Sequence, residues 1–182
     1  MTLTIEPTSD ILSEHIAVKE EFTMKKLKAK TVGYRYFTES VDITDPCYDR
    51  DVWCRMNDVK IKPGEYKCVA WMRPDTCTYD GKTYDDTRVA IAGIYLNGLV
   101  PGENYMEEIG EIGVDAGLAG FFNNKPDYTD DEWMTFCDSI RKGDAWIKDE
   151  GFFSSSGYGD GCYPVNAFRM NGEIVALEIR FI

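Results

Sequence analysis

The chain has 182 residues and a formal net charge of −12, from 32 acidic and 20 basic residues. Residues 91–182 contain sixteen acidic and six basic residues, and this half therefore carries −10 of the total charge. Such a surface repels phosphate backbones, so we expect no direct nucleic-acid binding and better complementarity to cationic partners. The length and the apolar fraction of 43% predict a single globular domain over residues 1–182.

The N-terminal sequence MTLTIEPTSDILSEH has neither the basic nor the apolar region of a signal peptide. No apolar run approaches the roughly 18 residues that a membrane helix needs. We therefore expect a cytoplasmic protein without membrane contact. Its single histidine, His15, and the lack of CxxC spacing argue against a zinc site. All six cysteines are expected to be reduced: Cys47, Cys54, Cys68, Cys77, Cys137 and Cys162.

Residues 1–36 are interpreted as a lead-in of unassigned structure, and residues 37–182 as a β-rich core. The stretch TVGYRYFTESVDI is rich in β-branched and aromatic residues, which favours a strand. At its end, Val41 and Ile43 alternate with Asp42 and with the next residue, Thr44, which is the pattern of a strand with one apolar face. The strand is expected to end at Asp45-Pro46.

Two dipeptides predict β-hairpins. Asp80-Gly81 follows a predicted strand over 65–73 and precedes the apolar stretch RVAIAGIYL. Asn171-Gly172 separates CYPVNAFRM from EIVALEIRFI. In the last strand one face is predicted to be apolar, with Glu178 and Arg180 on the opposite face.

One helix is predicted, over about residues 130–142. Thr129 and Glu132 have the spacing of a capping box, and Arg141, Lys142 and Gly143 suit a helix C-terminus. The positions at i, i+3, i+4 and i+7 form an apolar face consisting of Trp133, Phe136, Cys137 and Ile140. The fold class is therefore predicted to be α+β: a mainly antiparallel sheet, as a sandwich or open barrel, with one principal helix.

Three aspartates lie beside chain-breaking residues: Asp45 in DITDPCY, Asp115 in GVDAGLAG and Asp160 in GYGDGCYP. Because strand ends meet at the rims of sheets, we expect these residues to lie in one neighbourhood. If residues 109–122 run extended, Asp115 lies opposite an apolar face that includes Val114. Two interpretations remain open, since such carboxylates either accept hydrogen bonds from loop N–H groups or bind a ligand.

The stretch GFFSSSGYGDGCYPV, residues 151–165, combines hydroxyls, glycines and aromatic rings around Asp160. One interpretation is a tight connection in which Asp160 caps its own turn between Gly159 and Gly161. The other is a pocket, with these candidate ligand-binding residues: Asp45, Tyr48, Asp115, Ser154, Ser155, Ser156, Tyr158, Asp160 and Tyr163.

No cofactor or metal is predicted. A calcium loop beginning at Asp127 departs from the EF-hand pattern, because Glu132 and Asp138 occupy the positions of the required glycine and glutamate. An irregular divalent site built from Asp45, Asp115 and Asp160 remains an alternative.

The motifs DPCY, GVDAGLAGFF and GYGDGCYPV, followed by GEIVALEIRF, resemble an uncharacterised family of bacterial and phage proteins defined only as a domain of unknown function. The resemblance spans residue 38 to the C-terminus. It implies that the three aspartate motifs belong together near one end of a β-rich domain. It implies no particular activity.

The favoured hypothesis is a small cytoplasmic binding module without catalytic activity, for a small polar ligand or a protein partner, encoded by a phage or mobile element. One alternative is a hydrolase or lyase that uses the Asp115 and Asp160 carboxylates. Another is an acidic decoy that inhibits a cationic partner. The sequence leaves the oligomeric state open.

Overall fold

The computed structural model describes residues 27–140, 143–148 and 151–182, so His15 and most of the predicted lead-in lie outside the described residues. Within these ranges the chain forms strands, a short 3₁₀ turn at Glu103–Tyr105 and one α-helix. The elements are β1 (Lys28–Phe37), β2 (Ser40–Thr44), β3 (Met56–Lys60), β4 (Gly64–Tyr79), β5 (Lys82–Leu96), β6 (Glu107–Val114), β7 (Leu118–Phe122), α1 (Asp130–Ser139), β8 (Ala145–Lys148), β9 (Gly151–Ser155), β10 (Gly161–Met170) and β11 (Glu173–Arg180).

The strands form two antiparallel sheets that pack face to face. The large sheet has the order β1-β4-β5-β11-β10-β6, and the small sheet has the order β3-β2-β7-β9-β8. Residues of both sheets share one core, which includes Phe37, Ile94 and Leu177 from the large sheet and Phe121 and Phe152 from the small one. The predicted α+β class, mainly antiparallel with one helix, is confirmed. The large sheet begins at Lys28, inside the segment interpreted as a lead-in.

Helix α1 covers the outer face of the small sheet. The capping box is confirmed, since the Thr129 hydroxyl accepts a hydrogen bond from the Glu132 N–H and the Glu132 carboxylate accepts one from the Thr129 N–H. The helix ends at Ser139 rather than at 142, and Arg141 and Lys142 lie outside the described residues. Trp133 and Phe136 on its apolar face form an aromatic cluster with Phe122, Tyr128, Trp146 and Phe153. No helix in the described parts of the chain has the length and apolarity to cross a membrane.

The predicted alternation through residues 109–122 is wrong. The chain leaves the large sheet after Val114, turns at residues 115–117 and enters the small sheet as β7. The turn changes which residues face the core: Ala119 and Phe121 are in the main core, whereas Phe122 packs beneath α1. Gly117, with φ of 65°, supplies the left-handed conformation that the turn requires.

Glu178 and Arg180 lie on the outer face of the large sheet as predicted, but Glu178 is buried there. Its carboxylate accepts a hydrogen bond of 2.7 Å from the Tyr95 hydroxyl, which itself accepts one from the Trp71 indole. Arg180 bridges Glu178 to Glu103. The polar face predicted from the alternation is therefore covered by the segment that contains Glu103.

Both predicted hairpin turns are confirmed, and the first belongs to a long projection. Asp80 and Gly81 both have positive φ, as a type I′ turn requires. Strand β1 pairs with β4 only as far as Met72, and β11 pairs with β5 only from Ile91. Residues 73–88, here called the arm, form seven cross-strand pairs beyond the sheet and extend about 20 Å.

Candidate functional site

The ends of several strands bring three loops together at one end of the sandwich. These loops are residues 45–55 after β2, residues 115–117 between β6 and β7, and residues 156–160 between β9 and β10. Their proximity follows from the pairing register, since Thr44 pairs with Gly120 and Leu118 pairs with Ser155. We call this end of the molecule, with its three loops, the rim.

Asp45 joins two of the rim loops from a fully buried position. One carboxylate oxygen accepts a hydrogen bond of 2.9 Å from the Cys47 N–H. The other accepts bonds of 2.9 and 2.7 Å from the N–H groups of Asp115 and Ala116. The side chain is 0% exposed. Because its oxygens bind backbone donors, Asp45 organises the rim from within.

Asp115 and Asp160 are placed differently, since both are exposed to solvent. Gly161 of β10 pairs with Val114 of β6, so the next residues outward on the two strands are Asp160 and Asp115. The backbone therefore brings these two residues to the same end of one ladder. The structure brings the three predicted aspartates to one rim, but only Asp115 and Asp160 present their carboxylates to solvent.

Two of the three predicted serines, Ser154 and Ser156, use their hydroxyls in hydrogen bonds within the protein. The Ser154 hydroxyl donates to the carbonyl of Ser155, and the Ser156 hydroxyl donates to the carbonyl of Gly159 at 2.7 Å. The Ser155 N–H donates to the carbonyl of Asp144. Ser154 and Ser156 are also buried. The Ser156 hydroxyl therefore closes the connection between the sheets, and neither the Ser154 nor the Ser156 hydroxyl lines an open pocket.

The two predicted tyrosines at positions 48 and 163 are half-buried. The Tyr163 hydroxyl donates to the carbonyl of Gly159, and its ring packs edge-on against Phe181. Tyr48 lies with Cys54 over Gly113, where a Cβ atom would approach the Cys54 Sγ to 2.9 Å. Burial, followed by hydrogen bonding to Cys54, raises the pKa of Tyr48. Both rings therefore support the rim from its interior side.

Tyr158 connects the rim to the base of the arm. Its ring lies beneath two guanidinium groups, with the Arg73 and Arg88 carbons 5.6 and 4.9 Å from the ring centre. Its hydroxyl contacts Arg73 and donates to Asp75 at 3.1 Å. The Arg88 side chain bonds Asp75 and the carbonyl of Gly157. The arm is thus held at its base by the loop that contains the serine-rich motif.

Sequence reasoning missed a buried charged cluster beside the rim. Asp42 faces the outer side of the small sheet, where loop 45–55, β3 and the segment around Lys125 cover it. Its carboxylate accepts bonds from the N–H groups of Asp58 and Lys125 and pairs with Arg50 and Arg55. The Arg55 side chain is 0% exposed, and burial lowers its pKa. The alternation of apolar and polar residues at 41–44 did not indicate that Asp42 is buried, because the segments that cover it are distant in the sequence.

Within the described ranges, no three His, Cys, Asp or Glu side chains are arranged to hold a metal ion. The irregular divalent site proposed from the three aspartates therefore has no geometric support. A groove of about 520 Å³ lies beside α1, and its lining includes Tyr128, Asp131, Phe136 and Lys148. This groove contains none of the predicted ligand-binding residues.

The six cysteines, all within the described residues, are free and differ strongly in exposure. Burial raises the pKa of both Cys47 and Cys68 to about 12, and the Asp45 carboxylate adds to the effect at Cys47. Cys77 and Cys162 are exposed.

Since the thiolate is the reactive form, iodoacetamide at neutral pH should label Cys77 and Cys162 first and Cys68 last. Peptide mapping by mass spectrometry measures this order, and complete labelling after unfolding without reductant should show six adducts. Early labelling of Cys68, or fewer than six adducts, would contradict the structure.

Comparison with models of known protein families, with curated protein sequences and with solved structures gave no significant match. The resemblance of the aspartate motifs to an uncharacterised bacterial and phage family therefore stays a prediction.

Proposed function

We propose that the chain is a small non-enzymatic binding module whose partner is a protein that presents lysine or arginine side chains. The observation that carries this proposal is the contrast within the rim. The buried carboxylate of Asp45 and the hydroxyls of Ser154 and Ser156 bond internally, while the neighbouring carboxylates of Asp115 and Asp160 face solvent. The charged groups that these predicted residues offer to a partner are therefore anionic.

An exposed tryptophan on the rim supports the same proposal. Trp53, in rim loop 45–55, is 89% exposed, whereas the ring of Tyr158 is already covered by the Arg73 and Arg88 guanidinium groups. Exposed tryptophan is enriched at protein interfaces, and its ring attracts cationic groups. A rim with exposed carboxylates and such a ring suits lysine and arginine better than it suits a small neutral molecule. A cytoplasmic location, a phage or mobile-element origin and the lack of direct nucleic-acid binding belong to the same proposal.

The two other hypotheses have different support. The pocket for a small polar ligand was predicted from its serine hydroxyls, and those of Ser154 and Ser156 bond within the protein. A carboxylate hydrolase or lyase would need a general acid held in a low-dielectric site, whereas Asp115 and Asp160 are both exposed. The acidic-decoy hypothesis is compatible with the proposed rim surface. A cationic partner that binds this surface would be inhibited as a consequence of the binding.

The test compares binding of a lysine-rich peptide to two variants of equal charge by isothermal titration calorimetry. The first variant is Asp115→Asn/Asp160→Asn at the rim. The control is Glu65→Gln/Glu108→Gln, two exposed acids near the opposite ends of β4 and β6. We expect the rim variant to bind about fivefold more weakly or worse, since each exposed ion pair contributes up to about 1 kcal/mol.

The control variant should bind within about twofold of the wild type, because charges beyond the Debye length of about 8 Å are screened at physiological salt. Equal weakening in both variants would show that only net charge attracts the peptide. Unchanged binding in the rim variant would exclude the rim as the docking site.

A further inference from the structure

Trp53 projects from a rim loop whose backbone is fixed on both sides of it. The side chain is 89% exposed. The buried Arg55 guanidinium donates to the Tyr48 carbonyl at 2.8 Å, and the Asn57 amide donates to the Arg50 carbonyl at 2.9 Å. These two bonds close the loop around Trp53. The indole is therefore presented to solvent in a defined place, and a partner that binds it does not have to order the loop first.

The backbone places Trp53 beside the exposed carboxylates of the rim. The Cys54 carbonyl accepts a hydrogen bond of 2.8 Å from the Gly113 N–H, and the Met56 side chain lies over Gly110. The loop thus runs alongside β6 in the opposite direction to the strand. Trp53 is one residue nearer than Cys54 to the C-terminal end of β6, which is the end at which the exposed rim aspartates lie.

The base of the arm contains an example of how a ring and a carboxylate together hold a guanidinium group. The Arg88 guanidinium carbon lies 4.9 Å from the centre of the Tyr158 ring, and the same side chain donates to the Asp75 carboxylate at 2.9 Å. A planar guanidinium uses both partners at once, because its face stacks on the ring while its edge donates hydrogen bonds. Trp53 and the exposed rim aspartates offer the same two kinds of group, and this ring is uncovered.

We propose that Trp53 makes the rim selective for arginine over lysine side chains of its partner, an inference that rests on the proposed function. The partner's guanidinium stacks on the indole, which is the aromatic ring that attracts cations most strongly, and donates hydrogen bonds to Asp115 or Asp160. A lysine ammonium is a compact, strongly hydrated charge that keeps the attraction to the carboxylates but lacks a planar face to stack. The carboxylates therefore attract both cations, and Trp53 distinguishes them.

Isothermal titration calorimetry with two peptides tests the proposal. The peptides have equal length and charge, contain no aromatic residues and differ only in carrying arginine or lysine. The variant is Trp53→Ala, and the matched control is Tyr79→Ala, which removes another exposed ring, 78% exposed, from the tip of the arm. Circular dichroism checks that both variants fold, as expected for substitutions of exposed side chains.

We expect the wild type to bind the arginine-rich peptide about fivefold or more tightly than the lysine-rich peptide. Trp53→Ala should reduce this ratio to about twofold or less, mainly through weaker binding of the arginine-rich peptide. Tyr79→Ala should keep the wild-type ratio. Equal binding of the two peptides to the wild type would overturn the proposal, and so would an unchanged ratio in Trp53→Ala.

The variant Asp115→Asn/Asp160→Asn, titrated with the same two peptides, separates this proposal from the proposed function. If it weakens binding of both peptides while Trp53→Ala leaves the ratio unchanged, the rim remains the docking site and the role of Trp53 is wrong. If it weakens binding of neither peptide, the proposed function is wrong, and the hydrogen bonds from arginine to these carboxylates are excluded with it.

Discussion

Replacing Asp42 with asparagine is expected to lower the free energy of unfolding by about 3–5 kcal/mol, the largest effect of any single change considered. The carboxylate is 2% exposed at its side chain, and its partner Arg55 is 0% exposed. Asparagine keeps the shape but removes the charge that compensates Arg55. A guanidinium with no anion then remains buried, and the protein bears its desolvation cost.

Chemical denaturation followed by circular dichroism measures the Asp42→Asn effect. The control is Asp58→Asn, because Asp58 also pairs with Arg50 but is 62% exposed at its side chain. That variant should lose less than about 1 kcal/mol, as exposed ion pairs contribute little. A second variant, Asp42→Asn/Arg55→Met, should recover part of the loss by removing the uncompensated cation. Equal losses in Asp42→Asn and Asp58→Asn would contradict the buried cluster.

Replacing Asp45 with asparagine is expected to cost about 2–3 kcal/mol. The carboxylate accepts three backbone N–H bonds, from Cys47, Asp115 and Ala116. Hydrogen bonds to a charged group contribute about 1.5–3 kcal/mol each, and the amide NH₂ of asparagine turns a donor toward one of the backbone donors. The substitution therefore leaves at least one buried N–H without an acceptor.

The Asp45→Asn effect is measured by denaturation beside Asp115→Asn, which removes an exposed charge from the same loop pair. We expect Asp115→Asn to change the unfolding free energy by less than about 0.5 kcal/mol. A loss below about 0.5 kcal/mol in Asp45→Asn would show that the rim loops do not depend on this carboxylate.

The features predicted correctly from the sequence are those with local causes. The capping box at Thr129 and Glu132 and the turns at Asp80-Gly81 and Asn171-Gly172 depend on residues a few positions apart. The alternation of apolar and polar residues along the strands is also a local pattern, and it indicated the mainly antiparallel class. Such signals are complete within one short window of the sequence.

The features missed from the sequence depend on segments distant in the chain. Asp42 alternates with apolar neighbours, as a solvent-facing residue of a strand does. It is nevertheless buried, because a loop and Lys125 fold over it. The chain leaves the large sheet after Val114 because the next strand, β7, pairs within the small sheet, and that pairing involves residues distant in the sequence. The arm's turn was recognised, but its length depends on where β1 and β11 stop pairing. The polar stretch TCTYDGKTYDD, which lacks an apolar face, was the available signal for a projecting hairpin.

The central claim is that the rim carboxylates divide their roles, Asp45 holding the loops together and the exposed pair binding the partner. The single substitution Asp160→Asn, measured for both unfolding free energy and lysine-rich peptide affinity, tests it most directly. Our account predicts an unfolding free energy within about 0.5 kcal/mol of the wild type and peptide binding weakened by about twofold or more. A stability loss above about 1 kcal/mol with unchanged peptide binding would contradict it, and would make Asp160 a turn residue only.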